Sequence, residues 1–336
     1  MTRVYAVIAQ LQQENYPTAM LCEALDVHRS RFYAWQRGSI ARRAERDAHL
    51  KPLVREVFRE HKGRYGARRI ARELIRRGYA CGVVRVGRLL AEMGLRAIQP
   101  KSYRPRTTES RHRLGYSPNL LLNRQPPASV NLVWVGDISY VPLQTGGFLY
   151  MAILMDLYSR RIVAWDLRDH MQESLVLGVL REAISVRQPP IDLIHHTDRG
   201  GQYAGKAYRV VLARAGMRQS MSRADDCYDN AFMESCFATI KRELQLRPYD
   251  NWVSARRDIG DYVRYYKSRR MHSSIGYRTP VDCEAGMRDR DQHVSRENSQ
   301  VARNKLGGSQ GNPARGRAAA SARDLGGVSR AAKPRC

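Results

Sequence analysis

The sequence has no uninterrupted apolar run of about 18 residues, the length a membrane-crossing helix needs, and no secretory pattern at its start. Neither a membrane span nor export is therefore expected. The six cysteines (Cys22, Cys81, Cys227, Cys236, Cys283 and Cys336) form no C-x-x-C pair, and none stands with histidine at zinc-site spacing. A disulfide framework is not expected in so long a chain, and a reducing cytoplasm is the simplest setting. No internal repeat is visible. Acidic residues are outnumbered: 32 Asp+Glu stand against 58 Lys+Arg, a formal net charge of +26. Such an excess attracts polyanions, with nucleic acid the leading partner. An anionic membrane surface is the rival, and a merely solvated basic surface the bland alternative.

What is present is enough to build a buried core. The 336 residues are 43% hydrophobic, which suits about two domains at roughly 150 residues each. Residues 1–96 read as helical. "TAMLCEALDVHRSRFYAWQRG" has the proportions of a helix-turn-helix, with Leu21 and Leu25 on the first helix and a turn near Asp26 and Val27. His28, Arg29, Ser30 and Arg31 can face a DNA groove, while Phe32 and Trp35 face back to the partner helix. In "GRYGARRIARELIRRGY", Ile70, Leu74 and Ile75 are expected on one face, arginines including Arg68 and Arg69 on the others, and Gly78 at the C-cap. These arginines form either a solvated face or a phosphate-facing surface. Val83, Val86, Leu89, Leu90 and Met93 continue the apolar pattern to Gly94.

Residues 97–130, basic and holding five prolines, read as a linker. From 131 to 288 the pattern changes. "VNLVWVGDISYVPL", "GFLYMAILMDL" and "RRIVAWDL" suggest an antiparallel meander. "QESLVLGVLREAISV" is a helix, "IDLIHHT" a fourth strand, "QYAGKAYRVVLARAG" a helix and "RQSMS" a fifth strand. Two helices follow, the first with Asp229 as its expected N-cap. The expected fold class is α/β, a mixed sheet covered by helices behind an all-α region. Residues 289–336, rich in Gly, Ala, Ser and Arg, read as a disordered basic tail.

Three carboxylates stand out. Asp137 sits inside the first strand, Asp198 ends the fourth in "HTDRGGQY", and Glu234 lies in the first turns of a later helix. Burying a lone carboxylate is costly unless it is paired or coordinates a metal. Acids meeting at strand ends can hold Mg²⁺, and a pair of such ions suits phosphodiester chemistry. The alternative for Asp198 is that it caps the next helix. The glycines after it are expected to let the backbone turn and to leave room for a ligand.

Glu234 follows Asp198 by 36 positions, so 35 residues lie between them. With "WVGDISYVPL", "YMAILMDLYSRRIVAW", "HTDRGGQY", "DNAFMESCFATIKREL", "YYKSRRMHSSIGYRTPVDCE", "SRFYAW" and "GRYGARRIARELIRRG", this resembles the DDE transposases of the insertion-sequence-three family, specifically the second-frame, orfB-type protein. The core is similar to that of retroviral integrases, and the resemblance covers roughly residues 1–288. It implies a ribonuclease-H-like core in which Asp137, Asp198 and Glu234 are catalytic and hold Mg²⁺ or Mn²⁺ as two ions. It implies a polynucleotidyl transferase that cleaves insertion-sequence ends and joins the freed 3′-OH to target DNA. Implied partners are double-stranded DNA (terminal repeats and target), further copies of the chain on that DNA and an upstream first-frame protein. The implied setting is the bacterial cytoplasm, at the nucleoid. A non-catalytic DNA-binding regulator with a relic core and a ribonuclease-H-type hydrolase stay open beside it.

Phosphoryl transfer needs in-line geometry and charge neutralisation more than a protein nucleophile. No Ser/His or Cys/His pair is therefore required, and His195 and His196 are read as structural, with assistance by His196 open. Lys241, seven residues after Glu234, falls on the same helical face, which Ala231 and Ala238 share and leave open. The resemblance implies that Lys241 contacts terminal DNA; the alternative is an exposed lysine. Asp156 is expected to be structural, near Arg160. Arg269, Arg270, His272 and Ser273 either pack on the core or touch DNA.

Overall fold

Alternating residues on the strands cover two sheet faces, and each face calls for its own helices. The computed structural model describes residues 2–99, 115–223 and 230–287. Strands β1 (Val133–Pro142), β2 (Phe148–Asp156) and β3 (Ile162–Arg168) form the expected antiparallel meander. Gly146 and Gly147 turn the first hairpin with φ of 87° and 79°, a region open to glycine because it lacks a Cβ. Strands β4 (Ile194–Thr197) and β5 (Arg218–Met221) then add in parallel, giving the order β3-β2-β1-β4-β5. Val133, Val135, Val141, Met151 and Ile153 pack on one face against helices α10 (Ala231–Glu243) and α11 (Trp252–Ser268). Trp134, Ala152 and Leu154 pack on the other against α7 (Glu173–Arg187) and α9 (Lys206–Arg214). This is the expected mixed five-stranded sheet flanked by helices.

The expected single helix over 202–216 is instead two, α8 (Gly201–Ala204) and α9. The break falls at Gly205. The Glu173 carboxylate occupies the space a Cβ there would fill and accepts the Tyr208 amide at 3.1 Å. An acid thus satisfies an orphan amide at the start of α9.

The helical region begins with α1 (Thr2–Gln13), α2 (Thr18–Ala24) and α3 (Arg29–Gln36), packed through Tyr5, Ile8, Leu21, Cys22 and Phe32 with Trp35 alongside. Helix α4 (Ser39–Glu60) lies where no motif stands out in the sequence. Its Leu50, Val54 and Val57 recur at helical spacing and join Ile70 and Leu74 of α5 (Ala67–Arg76) and Val86, Leu89 and Leu90 of α6 (Val83–Glu92). Ile75 and Val83, expected in that core, are exposed. Ile75 follows Leu74 by one position, so the helical turn carries it off the buried stripe. Gly78, at φ 89°, ends α5 as expected.

The second half of the expected linker is attached to the sheet. The Leu120 amide donates to Ser220 Oγ at 2.9 Å, the Met221 amide to Pro118 O at 3.4 Å, and Leu120 and Leu121 pack on the core. This segment covers the β5 edge that would otherwise present unpaired backbone groups. Residues 100–114 of the linker, Asp229 and the 289–336 tail lie outside the described residues.

Met1–Gly286 forms one compact unit. Within it, the α4–α5 junction is wedged against the end of α11. His61 stacks on Tyr65 at 3.7 Å and bonds Tyr265 through Nδ1 at 3.0 Å. Tyr65 donates to Arg269 O at 2.9 Å and accepts the Met271 amide at 2.8 Å. Burial holds His61 down at about 4, against the pull of Glu60 and Glu73. Burial, then Arg270 and Arg69, hold His272 at about 2.

Both folded values lie below the unfolded value near 6.5, so the unfolded chain binds more protons as pH falls. Their stabilising contribution is complete above about pH 6.5 and erodes below it, each histidine contributing about 1.4 kcal/mol per pH unit once the unfolded side chain is protonated. Urea unfolding followed from pH 7 to pH 5 is expected to show that loss, with a shallower slope in His61→Gln. An unchanged slope in the variant would remove His61 from the account.

Candidate active site

The parallel pairing of β1 with β4 matches Val133 with Ile194, Trp134 with His195 and Val135 with His196. Asp137 lies two residues beyond Val135, and Asp198 two beyond His196. The register therefore sets the two acids side by side, at the boundary where β1 has an antiparallel neighbour on one side and a parallel one on the other. Strand ends at such a switch in direction are where open sheets place ligand sites. The third acid arrives on α10. Met233, Cys236, Phe237 and Ile240 bury against the sheet, which leaves Glu234, Ala238 and Lys241 along an adjoining flank.

Local bonds orient the acids. Asp137 Oδ1 accepts the Ile138 amide at 2.7 Å, and Asp198 Oδ1 accepts the Gly200 amide at 3.0 Å. The second bond is an Asx-type turn. Gly200, not Asp198, stands at the N-cap of α8. Gly200 has φ −59°, so no left-handed turn requires glycine there. Room does: a Cβ would come within 3.0 Å of Asp198 Oδ1 and of Gln202 Oε1.

Burial first, then Asp198 and Glu234, push the Asp137 carboxyl well above the usual carboxylate range; the Ile138 amide and Lys241 oppose them. Asp137 and Asp198 are half-buried, while Glu234 is exposed. Like charges gathered in a poorly solvated place favour a cation. The donors are carboxylate oxygens, the type a hard divalent ion takes. Among the described residues, no group of three His, Cys, Asp or Glu side chains is arranged to hold a metal as it stands. The charge and donor chemistry fit a divalent cation, and Glu234 is the acid least enclosed by the fold.

The Lys241 ammonium is within electrostatic reach of Asp137; burial pulls its pKa down and Asp137 pulls it back up. Sequence reasoning reached Lys241 by helical spacing but did not foresee this proximity to the acids. It missed Tyr203, whose hydroxyl is pushed far up by burial, then by Asp137, Tyr208 and Asp198. It also missed Asn230, which takes the N-cap position of α10; its buried Oδ1 has no hydrogen-bond partner among the described residues. Neither residue carried a sequence signal, because each acquires its neighbours through packing.

His195 and His196 are fully buried. His195 Nε2 meets Tyr208 OH at 2.7 Å; His196 Nδ1 and Nε2 meet Ser220 Oγ at 2.8 Å and Ser222 Oγ at 3.3 Å. They fit the structural reading. Asp156 does too: it accepts from the Asn131 amide at 2.7 Å and from the Ser159 amide and hydroxyl at 2.8 and 2.9 Å.

Arg29 and Arg31 on α3 and Arg68 on α5 are exposed, apart from the acids. Arg69 departs from the outward-facing surface expected of it. Its Nε donates to Met271 O at 3.1 Å, Nη1 lies 3.7 Å from Glu243, and the guanidinium sits over Tyr65. Arg270 is buried in a two-pronged pair with Glu243, which settles its choice between core packing and DNA in favour of packing.

The chain matches the integrase core domain family over residues 127–227 and again over 215–280, and an HTH-like domain family over 45–103. The HTH-like match spans α4–α6 rather than the α2–α3 pair to which the sequence pattern pointed. An insertion element IS600 31 kDa protein of Shigella sonnei is 37% identical over 78% of this chain and 96% of its own length. The transposase InsF for insertion sequence IS3A of Escherichia coli is 34% identical over 83% of this chain and 97% of its own. The chain belongs to the IS3-family transposases. Its function class is transposition, and an integrase core implies polynucleotidyl transferase activity. Among solved structures, the HTLV-2 integrase catalytic core domain in complex with magnesium covers 47% of this chain and 98% of its own, at 13% identity and a TM-score of 0.37. No helix among the described residues of this transposase is long and apolar enough to cross a membrane.

Gly136, next to Asp137, is hemmed in: a Cβ would stand 3.2 Å from His195 Cε1 and from Leu154 Cδ1. Gly136→Ala is expected to cost about 1–3 kcal/mol through overpacking of a central strand. Urea denaturation at pH 7 measures it; an unchanged midpoint would mean both neighbours yield freely.

Proposed function

We propose that this transposase cleaves the 3′ ends of its insertion sequence and joins them to target DNA, with Asp137, Asp198 and Glu234 as the catalytic acids. The observation that carries the reading is the β1–β4 register, which sets Asp137 beside Asp198, with Glu234 brought near enough from α10 that burial and both other acids push the Asp137 carboxyl upward. Asp137, Asp198 and Glu234 would hold Mg²⁺ or Mn²⁺, as two ions. When bound, these ions neutralise charge on the phosphodiester and activate the attacking oxygen. The chain's own part is to supply carboxylate oxygens from separate elements and to keep those of Asp137 and Asp198 half-buried. The Ile138 and Gly200 amides fix the directions of Asp137 and Asp198. Lys241 balances part of the negative charge and can meet a phosphate of the terminal DNA. His196 has both ring nitrogens engaged by serines, which speaks against its serving as a general base.

Double-stranded DNA is the proposed substrate, bound through the +26 excess and the exposed Arg29, Arg31 and Arg68. Two ends must be processed together, so the working unit is a homo-oligomer on DNA, with an upstream first-frame protein as a further partner. The proposed setting is the bacterial cytoplasm.

A labelled duplex carrying the element's terminal repeat tests this. Cleaved and joined products are expected with Mg²⁺ and not with EDTA. Asp137→Asn, Asp198→Asn and Glu234→Gln are each expected to lower the rate by about 10²-fold or more. Asp156→Asn should lose stability before it loses chemistry. Binding without products, even with the first-frame partner added, would favour a regulator with a relic core; hydrolysis without joining would favour a simple nuclease. In a gel-shift titration Lys241→Glu is expected to weaken binding to terminal DNA while leaving the fold intact. Unchanged affinity would remove Lys241 from the DNA contact.

A further inference from the structure

Helix α10 carries Glu234 in its first turn and Glu243 as its last residue. Nine positions separate them, about 13 Å along the axis. The two ends are held very differently. At the N-terminal end, Asn230 makes no side-chain cap. At the C-terminal end, the buried Glu243 carboxylate accepts from Arg270 Nε at 3.0 Å and Nη2 at 2.8 Å, and from Tyr262 OH at 3.0 Å. Arg69 Nη1 approaches it at 3.7 Å, and its backbone carbonyl accepts Arg64 Nε at 3.2 Å. Arg64 and Arg69 belong to the helical region, inside the HTH-like match. The same short stretch grips the chain that carries Arg270: Tyr65 bonds Arg269 and Met271, and Arg69 Nε bonds Met271 O.

The apolar stripe of α10 restrains the helix against the sheet but not its slide along it, since packed helices shift by small shear motions. A charged two-pronged bond fixes direction as well as distance. A buried carboxylate also cannot leave its partners cheaply. We infer that the helical region sets the position of Glu234 through this clamp, with Glu243 as a positioning residue and Arg64 and Arg69 as the contacts that transmit it. DNA engaged by the helical region would then act on the catalytic acids through α10. This rests on the reading of Glu234 as a catalytic acid.

The test uses the full chain with Arg64→Gln, Arg69→Gln and Arg69→Lys. Arg64→Gln removes the bond to the Glu243 carbonyl and the guanidinium over the Tyr262 and Tyr265 rings but leaves the pairs on the Glu243 carboxylate, so it serves if Arg69→Gln fails to fold. Backbone hydrogen exchange over residues 231–237 is expected to quicken by about tenfold in the Gln variants, as the N-terminal end of α10 loosens. Single-turnover cleavage of the terminal-repeat duplex with Mg²⁺ should fall by about tenfold to a hundredfold, the scale of a small misplacement. Affinity for that duplex should stay within about threefold, and Arg69→Lys should recover part of the rate. Unchanged exchange overturns the clamp. Quickened exchange with full-rate cleavage overturns its link to catalysis, and an equal loss of binding and cleavage shows instead that these arginines act on DNA. Full cleavage by Glu234→Gln, by contrast, would sink the acid reading itself, whatever the exchange data say.

Discussion

Two carboxylates set side by side at the end of a parallel strand pair repel one another, and the surrounding fold keeps water from screening them. Much of the sheet region serves that arrangement. The β1–β4 register brings Asp137 and Asp198 level. Gly136 and Gly200 leave room where a methyl group would press on His195 or on the Asp198 carboxylate. His195 and His196, fully buried, bond Tyr208 and two serines. Burial and the neighbouring acids push the Asp137 carboxyl toward its neutral form, and Lys241 pulls against them.

The third acid depends on a different kind of support. Glu234 rides on a helix whose apolar stripe is bound to the sheet, while its far end is gripped by Arg270, Tyr262, Arg64 and Arg69. The helical region is thus more than an appendage carried beside a catalytic core. Its α4–α5 junction is built into the wall against which the C-terminal end of α10 rests. Arginines that read as a DNA-facing surface divide between two tasks: Arg68 faces outward and Arg69 faces in.

Much of this was legible beforehand. The meander, the parallel additions and the acids in apolar surroundings followed from period, turn residues and spacing. Phe32 and Trp35 faced inward as the helical period required. Misreadings arose where a local pattern met a distant partner. Ile75 had the right composition and the wrong angle. The helix after Asp198 broke because Glu173, on another helix, took the space beside Gly205. Part of a proline-rich linker became the cover of an edge strand because Ser220 and Pro118 supplied bonds across the chain.

By itself the sequence determined the charge, the fold class, the order of the strands and the candidacy of the three acids, because each rests on residue type and short-range pattern. Only the tertiary structure decided the register that pairs Asp137 with Asp198, the proximity of Lys241 and Tyr203, and the clamp on Glu243. Those features join residues far apart in the chain: Arg64 and Glu243 are 179 positions apart. No periodicity reports a contact of that kind, since it exists only once separate elements have packed and the solvent between them has gone.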